Sequence, residues 1–189
     1  MATAFGHMAV AYAMGKTVNP VWHSKRFWLL TMLCCVLPDA DVLGLVFGIP
    51  YEHILGHRGI THSISFAILG GMVVPKLAVP TLSCWSGRYG VFVIYFGLVI
   101  LSHGMLDALT DGGLGIAFFA PFDPTRYFLP WRPIAVSPIG LTKFFSSWGF
   151  GVLLSELTWI GIPVTFWLLS RWGMLRKKGS YCFANPKKI

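Results

Sequence analysis

The feature that most constrains this chain is a succession of long apolar runs with few charges between them. Hydrophobic residues make up 55% and charged residues 12% of its 189 positions, whereas soluble domains carry about 25% charged residues. A domain of this size cannot bury so many apolar runs internally, so lipid must cover them. We therefore predict one all-α membrane domain over residues 1–189, with about five membrane-embedded or spanning helices, some short or kinked.

The predicted segments follow the apolar runs and end where proline, glycine or charged residues appear. They cover residues 3–15, 27–37, 42–50, 64–79, 92–111 and 144–170. Residues 114–143, rich in aromatic residues and proline, predict an interfacial loop that covers the functional site from the membrane surface. Residues 171–189 form a basic tail.

The net charge of +8 comes mainly from basic residues that flank the apolar runs. This pattern is typical of topology signals and of contact with anionic membrane lipid, so we do not predict nucleic-acid binding. The positive-inside rule places the connector 16–26, Arg88 and the tail in the cytoplasm. The same threading brings most of the histidines and aspartates together near the outer face.

The apolar run at 92–111 carries His103 and, four residues later, Asp107. On a helix these side chains lie on one face, one turn apart, where both can reach one metal ion. Ionisable residues inside membrane segments usually mark functional sites. The alternative is a polar helix end that also includes Asp111, but the helix dipole disfavours acids at that end.

Two acids, Asp39 and Asp41, directly follow Pro38, which breaks the preceding apolar run. Their carboxylates would repel each other at membrane depth unless a cation or an arginine neutralised them. Either could ligate a metal, and a simple polar helix break is the alternative.

The string His57 to Ser63 places two imidazoles, His57 and His62, on either side of Arg58 and a glycine. Such residues suit metal ligation beside an anion clamp, because arginine pairs bidentately with phosphate or carboxylate. A histidine-rich surface loop is the alternative. His7, near the start of the first apolar run, is a weaker candidate ligand.

Together these residues form a His/Asp set without thiolates, suited to zinc or another divalent ion. The four cysteines show no C-x-x-C spacing. The candidate metal ligands are His7, Asp39, Asp41, His57, His62, His103 and Asp107. They outnumber the ligands of one tetrahedral ion, which favours a two-metal site.

The strings PDAD at 38–41, HRGITHS at 57–63 and HGMLDALTDGG at 103–113 resemble the YdjM-like family of bacterial inner-membrane proteins. That family is described as LexA-regulated and thought to contain metal-dependent hydrolases, distantly similar to zinc-dependent phospholipase C and the S1/P1 nucleases. The resemblance covers about residues 1–143 and implies an all-helical enzyme of the bacterial inner membrane.

The resemblance also implies particular zinc ligands. It matches His103 and Asp107 to a late His-x-x-x-Asp pair, Asp39 or Asp41 to an early acid, and His57 or His62 to a middle histidine. His7 resembles a histidine near the family's N-terminus. No histidine follows Asp111, so the resemblance implies one or two ions instead of three.

We therefore predict a membrane-bound, metal-dependent hydrolase of a phosphoester in a lipid or lipid-linked substrate, with a metal-activated water as nucleophile. Asp39 or Asp111 would accept the proton from water, and Arg58 would hold the substrate anion. The alternative is a divalent-metal transporter or channel, although such proteins place ligands near the midplane between paired halves and no inverted repeat is visible. A non-catalytic scaffold stabilised by metal is a third hypothesis.

Overall fold

The computed structural model describes residues 1–138 and 140–184, and in these residues the protein is helical. Its β structure there is limited to two isolated bridges. Three stretches are long and apolar enough to cross a membrane: Lys25–Val46, Gly87–Ala108 and Ser147–Met174. Ile64–Ala78 is a shorter apolar helix, and the first helix has 12 residues. The prediction of an all-α fold with about five membrane segments, some of them short, is confirmed.

The first two helices, α1 (Ala4–Gly15) and α2 (Lys25–Val36), pack against each other. Thr3 caps α1 and Ser24 caps α2, because each side-chain oxygen accepts a hydrogen bond from a backbone N–H of the first turn. The cap at Ser24 starts α2 two residues before the apolar run predicted to form it.

The predicted break at Pro38 takes the form of a 3₁₀ helix, Leu37–Val42, which leads into the short helix α3 (Leu43–Val46). Proline lacks the backbone N–H that would continue the α-helical hydrogen bonds. Asp39 and Asp41 therefore lie in a tight helical turn at the end of α2 instead of in an extended loop.

The next two helices, α4 (Ile64–Ala78) and α5 (Gly87–Ala108), form the closest helix pair. A Cβ added at Gly71 would lie 2.6 Å from the Val93 carbonyl oxygen and 3.0 Å from the Gly97 Cα atom. The two backbones therefore touch, as small residues allow in membrane helices.

Serine caps fix where these two helices begin. Ser63 caps α4 by accepting a hydrogen bond from the Phe66 N–H at 3.1 Å. Ser86 caps α5 in the same way through the Tyr89 N–H, also at 3.1 Å. This second cap starts α5 five residues before the predicted segment.

The described residues of the predicted loop at 114–143 are nonhelical except for the short helix α6 (Leu141–Phe144) at its end. Helix α7 (Ser147–Glu156) then continues through a π-helical turn, Leu157–Gly161, into α8 (Ile162–Ala184). The predicted basic tail at 171–189 thus begins as part of a helix, and its last five residues lie outside the described residues.

Basic residues meet at the end of the bundle opposite the predicted site. The Arg88 guanidinium lies over the Trp22 ring, 5.4 Å from its centroid, and Arg171 Nη2 donates to the Thr17 carbonyl at 3.4 Å. The connector 16–26, the start of α5 and the last span therefore share one end. The predicted ligands lie at the other end, where α2 and α5 finish.

The outer surface of α4 is apolar, with Ile68, Leu69, Met72 and Val73 each more than half exposed. A contiguous apolar surface of this kind on a soluble monomer would be unfavourable. Lipid contact removes that cost.

Candidate metal centre

Side chains from three parts of the chain converge where α2 and α5 end. One ligand atom each of Asp39, His62, His103 and Asp107 lies within 4.8 Å of the other three. His103 Nε2 is 3.2 Å from His62 Nε2 and 3.3 Å from Asp39 Oδ1. Asp107 Oδ2 is 3.7 Å from His62 Nε2 and 4.0 Å from His103 Nε2. Bonds of about 2.0–2.1 Å to a tetrahedral zinc ion would set its ligands about 3.3–3.4 Å apart, so these separations are close to those of a metal site.

The hydrogen bonds on the far side of each imidazole determine which nitrogen faces the centre. His103 Nδ1 lies 2.7 Å from the Cys35 carbonyl oxygen, which can only accept, so Nδ1 carries the hydrogen. His62 Nδ1 lies 3.0 Å from Thr61 Oγ1, whose own hydrogen goes to Asp41 Oδ2, so Nδ1 donates to this hydroxyl. The two Nε2 lone pairs therefore face each other, and this arrangement requires a proton or a metal ion between them.

Two carboxylate oxygens at the centre lack hydrogen-bond partners. Asp39 Oδ1 and Asp107 Oδ2 are both buried and unpaired. An unpaired buried oxygen of a carboxylate is costly, and most such groups in proteins are paired. A cation at this position would satisfy both oxygens, so the residues present fit a bound divalent ion.

Solvent reaches the centre only at one of its four ligands. The Asp39 side chain is 14% exposed, while those of His62, His103 and Asp107 are 0% exposed. A small molecule would therefore approach the centre past Asp39.

Asp41 lies next to the centre but its oxygens are occupied by protein donors. Oδ1 accepts from His57 Nδ1 at 2.7 Å, and Oδ2 accepts from Thr61 Oγ1 at 2.6 Å and from the Arg58 N–H at 3.1 Å. His62 Nδ1 also lies 3.1 Å from Asp41 Oδ2. Asp41 therefore orients the loop and the His62 ring, as outer carboxylates do around metal sites.

The carboxylates also set the charge of His62. Burial by itself would lower the pKa of this imidazole, but the neighbouring carboxylates of Asp39 and Asp41 raise it to about 9. Without a metal, His62 therefore carries a proton at neutral pH, and a bound cation would take the place of that charge.

Asp41, His57 and His62 form a second group whose ligand atoms lie within 4.8 Å of one another. A metal there would have to use His62 Nδ1 and displace the hydrogen bonds that Asp41 accepts. Asp41 and His57 belong to this second group, so their predicted roles as metal ligands stay predictions. Of the alternatives left open by the sequence, the geometry favours Asp39 over Asp41 and His62 over His57.

His7 reaches the edge of the centre. Its ring is stacked on that of His103, with centroids 3.8 Å apart and an interplanar angle of 13°. Imidazole binds metals in the plane of its ring, so two nearly parallel rings are poorly arranged to share one ion. His7 Nε2 lies 3.3 Å from Asp107 Oδ1, and its role as a metal ligand stays a prediction.

Arg58 is buried and fixed by its surroundings. Nη1 donates to the Gly112 carbonyl at 2.8 Å and Nη2 to Thr110 Oγ1 at 3.0 Å, while Nε lies 3.4 Å from Asp107 Oδ2. Its φ of 64° is left-handed, which is unfavourable for a residue with a Cβ. This guanidinium faces Asp107 and balances the charge of that carboxylate. An open anion clamp would instead face solvent.

Asp111 does not join either group of converging residues. It is exposed, and its Oδ1 accepts a hydrogen bond from the Val136 N–H at 2.8 Å. Its N–H donates to the Ile134 carbonyl at 2.9 Å. Asp111 therefore attaches the long loop to the end of α5, and this position gives no support to its predicted role as a proton acceptor.

Two charged residues near the centre were not predicted to act there. Arg126 donates to the carbonyls of His57 and Tyr51, each at 2.9 Å, and so fastens the long loop over the ligand-bearing loop. Contacts to carbonyls leave no sequence pattern. Glu156, buried in the last span, did have a signal, because an acid inside an apolar run is unusual.

Comparison with known proteins agrees that this chain is a membrane protein. A sequence model of the family described as "YdjM inner membrane protein" matches residues 1–178, which include the whole centre. The chain is also 36% identical over 165 residues to "Inner membrane protein YbcI" of Escherichia coli (strain K12), and the match covers 86% of this chain and 92% of that protein. No solved structure is a match. The chain belongs to the YdjM inner membrane protein family.

Proposed function

We propose that the protein is a membrane-bound, metal-dependent hydrolase of a phosphoester in a lipid or lipid-linked substrate. The observation that carries the proposal is the facing pair of imidazole nitrogens of His62 and His103, which lie 3.2 Å apart beside unpaired carboxylate oxygens. Two imidazoles and two carboxylates without a thiolate suit zinc among the common divalent ions.

In this proposal Asp39, His62, His103 and Asp107 hold one ion. A bound divalent ion supplies Lewis acidity, which polarises a phosphoryl oxygen and lowers the pKa of water. The two carboxylates offset the charge of the ion, and Arg58 adds a positive charge beside Asp107. The centre as a whole would therefore attract an anion such as a phosphoester.

Asp39 is the residue best placed to take a proton from the attacking water. Its Oδ1 is buried and faces the other ligands, so solvent reaches the remainder of this side chain, which is 14% exposed. The side chains of His62, His103 and Asp107 are closed to solvent, and the loop above them is attached to Arg58 by a hydrogen bond from the Ala117 N–H to the Arg58 carbonyl at 3.1 Å.

The position of the centre supports a lipid substrate. The loop that covers it exposes three aromatic side chains, Phe119 (51%), Phe122 (90%) and Trp131 (59%). Aromatic residues of this kind are enriched where membranes meet water. A lipid head group at that boundary would lie at the depth of the centre, whereas a nucleic acid would have to bind the basic residues at the opposite end.

A divalent-metal transporter would use the same ligands for transit. The donors come from the ends of α2 and α5 and from the loop before α4, whereas transit sites lie near the middle of broken helices. This placement supports the hydrolase over the transporter.

We expect the protein purified in detergent to contain about one equivalent of zinc by elemental analysis and to release head groups from phospholipid vesicles. Chelation should stop this release and added zinc should restore it, while His103→Ala should lose both the metal and the activity. The panel includes a water-soluble phosphoester to separate lipid from general phosphoester hydrolysis. Zinc uptake into vesicles containing the purified protein, without hydrolysis of any substrate, would favour the transporter.

We further propose that the basic end faces the cytoplasm and the centre faces the outside of the inner membrane. Cys84 is exposed at the basic end, whereas Cys34 and Cys35 are buried. In a Cys182→Ser variant, a membrane-impermeant maleimide should label Cys84 in spheroplasts only after lysis. A Phe122→Cys variant that also has Cys84→Ser should be labelled before lysis, and the reverse pattern would show the opposite orientation.

A further inference from the structure

Glu156 is the only acidic residue between positions 147 and 174, and the structure buries it. Its Oε1 accepts a hydrogen bond from the Thr3 backbone N–H, and its Oε2 accepts one from the Thr3 hydroxyl. An acid inside a membrane span is costly and usually functional. Glu156 belongs to neither of the groups of converging ligands found in the described residues, and its hydrogen bonds there go to Thr3.

The segment that Glu156 holds is in direct contact with the metal centre. Thr3 caps α1 through the Gly6 N–H, and the preceding Ala2 N–H donates to Asp107 Oδ1 at 2.7 Å. One turn further along, His7 Nε2 also lies 3.3 Å from Asp107 Oδ1. The first turn of α1 therefore holds one oxygen of a metal ligand from two sides.

The local structure leaves little freedom in this contact. A Cβ added at Gly6 would lie 3.1 Å from Glu156 Cδ and 3.0 Å from Ile160 Cδ1, so α1 and the last span approach as closely as glycine permits. The π-helical turn Leu157–Gly161 begins directly after Glu156. Single π-helical turns inside α-helices are frequent at functional sites.

We propose that Glu156 is a positioning residue of the metal centre. By holding Thr3 it fixes the first turn of α1, so that Ala2 and His7 pin Asp107 Oδ1. The Ala2 hydrogen bond and the His7 contact at Oδ1 restrict rotation of the carboxylate, and so keep the other oxygen, Oδ2, directed at the centre. The inference rests on the proposed function, because it assumes a metal held by Asp107.

The test compares three variants, Glu156→Ala, Thr3→Val and Glu156→Gln, with the control Thr158→Val. Thr158 lies in the π-helical turn, and its exposed hydroxyl donates to the Leu154 carbonyl. Zinc affinity is measured by chelator competition, and ligand geometry by the visible spectrum of the Co²⁺ form. Loss of an outer partner of a metal site costs about 10- to 100-fold in affinity. We expect a loss of this size and an altered spectrum for Glu156→Ala and a smaller change for Thr3→Val.

The Glu156→Gln variant keeps one acceptor oxygen and should recover part of the affinity, while Thr158→Val should behave as the wild type. If Glu156→Ala does not fold, Glu156→Gln decides together with Thr3→Val, because Thr3→Val removes the α1 cap as well as one of the two hydrogen bonds to Glu156. Folded variants with the affinity and spectrum of the wild type would overturn the positioning role alone. A wild-type protein that binds no zinc would instead overturn the proposed function.

Discussion

Replacing Asp107 by asparagine is expected to weaken zinc binding by about 100- to 1000-fold. Structural zinc sites bind with about 10–16 kcal/mol, so one of four ligands contributes about 2.5–4 kcal/mol, and each 1.4 kcal/mol is about tenfold. Asparagine keeps the size of the side chain but replaces the anionic donor by an amide. The measurement is a chelator-competition titration of the purified protein in detergent.

Two matched substitutions separate ligands from their neighbours. Asp41→Asn should cost about 10- to 100-fold, as expected for an outer partner, and Asp111→Asn should leave the affinity unchanged because Asp111 lies outside the centre. Thermal unfolding of the metal-free variants shows whether a loss of binding reflects a loss of folding. Equal losses for Asp41→Asn and Asp107→Asn, or a larger loss for Asp41→Asn, would contradict the assigned ligand set.

Replacing Arg58 by methionine is expected to destabilise the metal-free protein by about 3–5 kcal/mol. Removing one partner of a buried ion pair leaves an uncompensated charge, which here is Asp107, and costs this amount. The Thr110 hydroxyl and the Gly112 carbonyl would lose their donors as well. For a chain of this length the change corresponds to a fall of roughly 6–20 °C in the unfolding temperature, measurable by circular dichroism in detergent.

Arg88→Met is the control for loss of a positive charge, because Arg88 is exposed at the opposite end of the bundle. Surface substitutions of this kind usually change stability by less than about 0.5 kcal/mol. Similar unfolding temperatures for the two variants would mean that Arg58 does not neutralise Asp107 in the folded protein.

Part of the centre could be predicted from local spacing. His103 and Asp107 are one turn apart on a helix, so any helix through them places both side chains on one face. Pro38 marks the break in the apolar run directly before Asp39 and Asp41. Each of these predictions depends on neighbouring residues in the sequence and on helix geometry alone.

The remaining assignments depend on long-range contacts that spacing does not contain. Asp39 is favoured over Asp41 because Thr61 and His57 occupy the oxygens of Asp41, and this requires the fold of the loop. The stacking of the His7 ring on His103 also cannot be read from spacing. The role proposed for Glu156 likewise depends on a contact with Thr3, at the other end of the chain.

The order in which the chain is synthesised limits when the centre can form. Its four donors come from positions 39, 62, 103 and 107, so the last two leave the ribosome only when α5 is nearly finished. Until then Asp39 and His62 can supply only half of a coordination sphere. A bound ion would link three segments that are inserted separately. Its complete coordination would therefore be the last step of their assembly in the membrane.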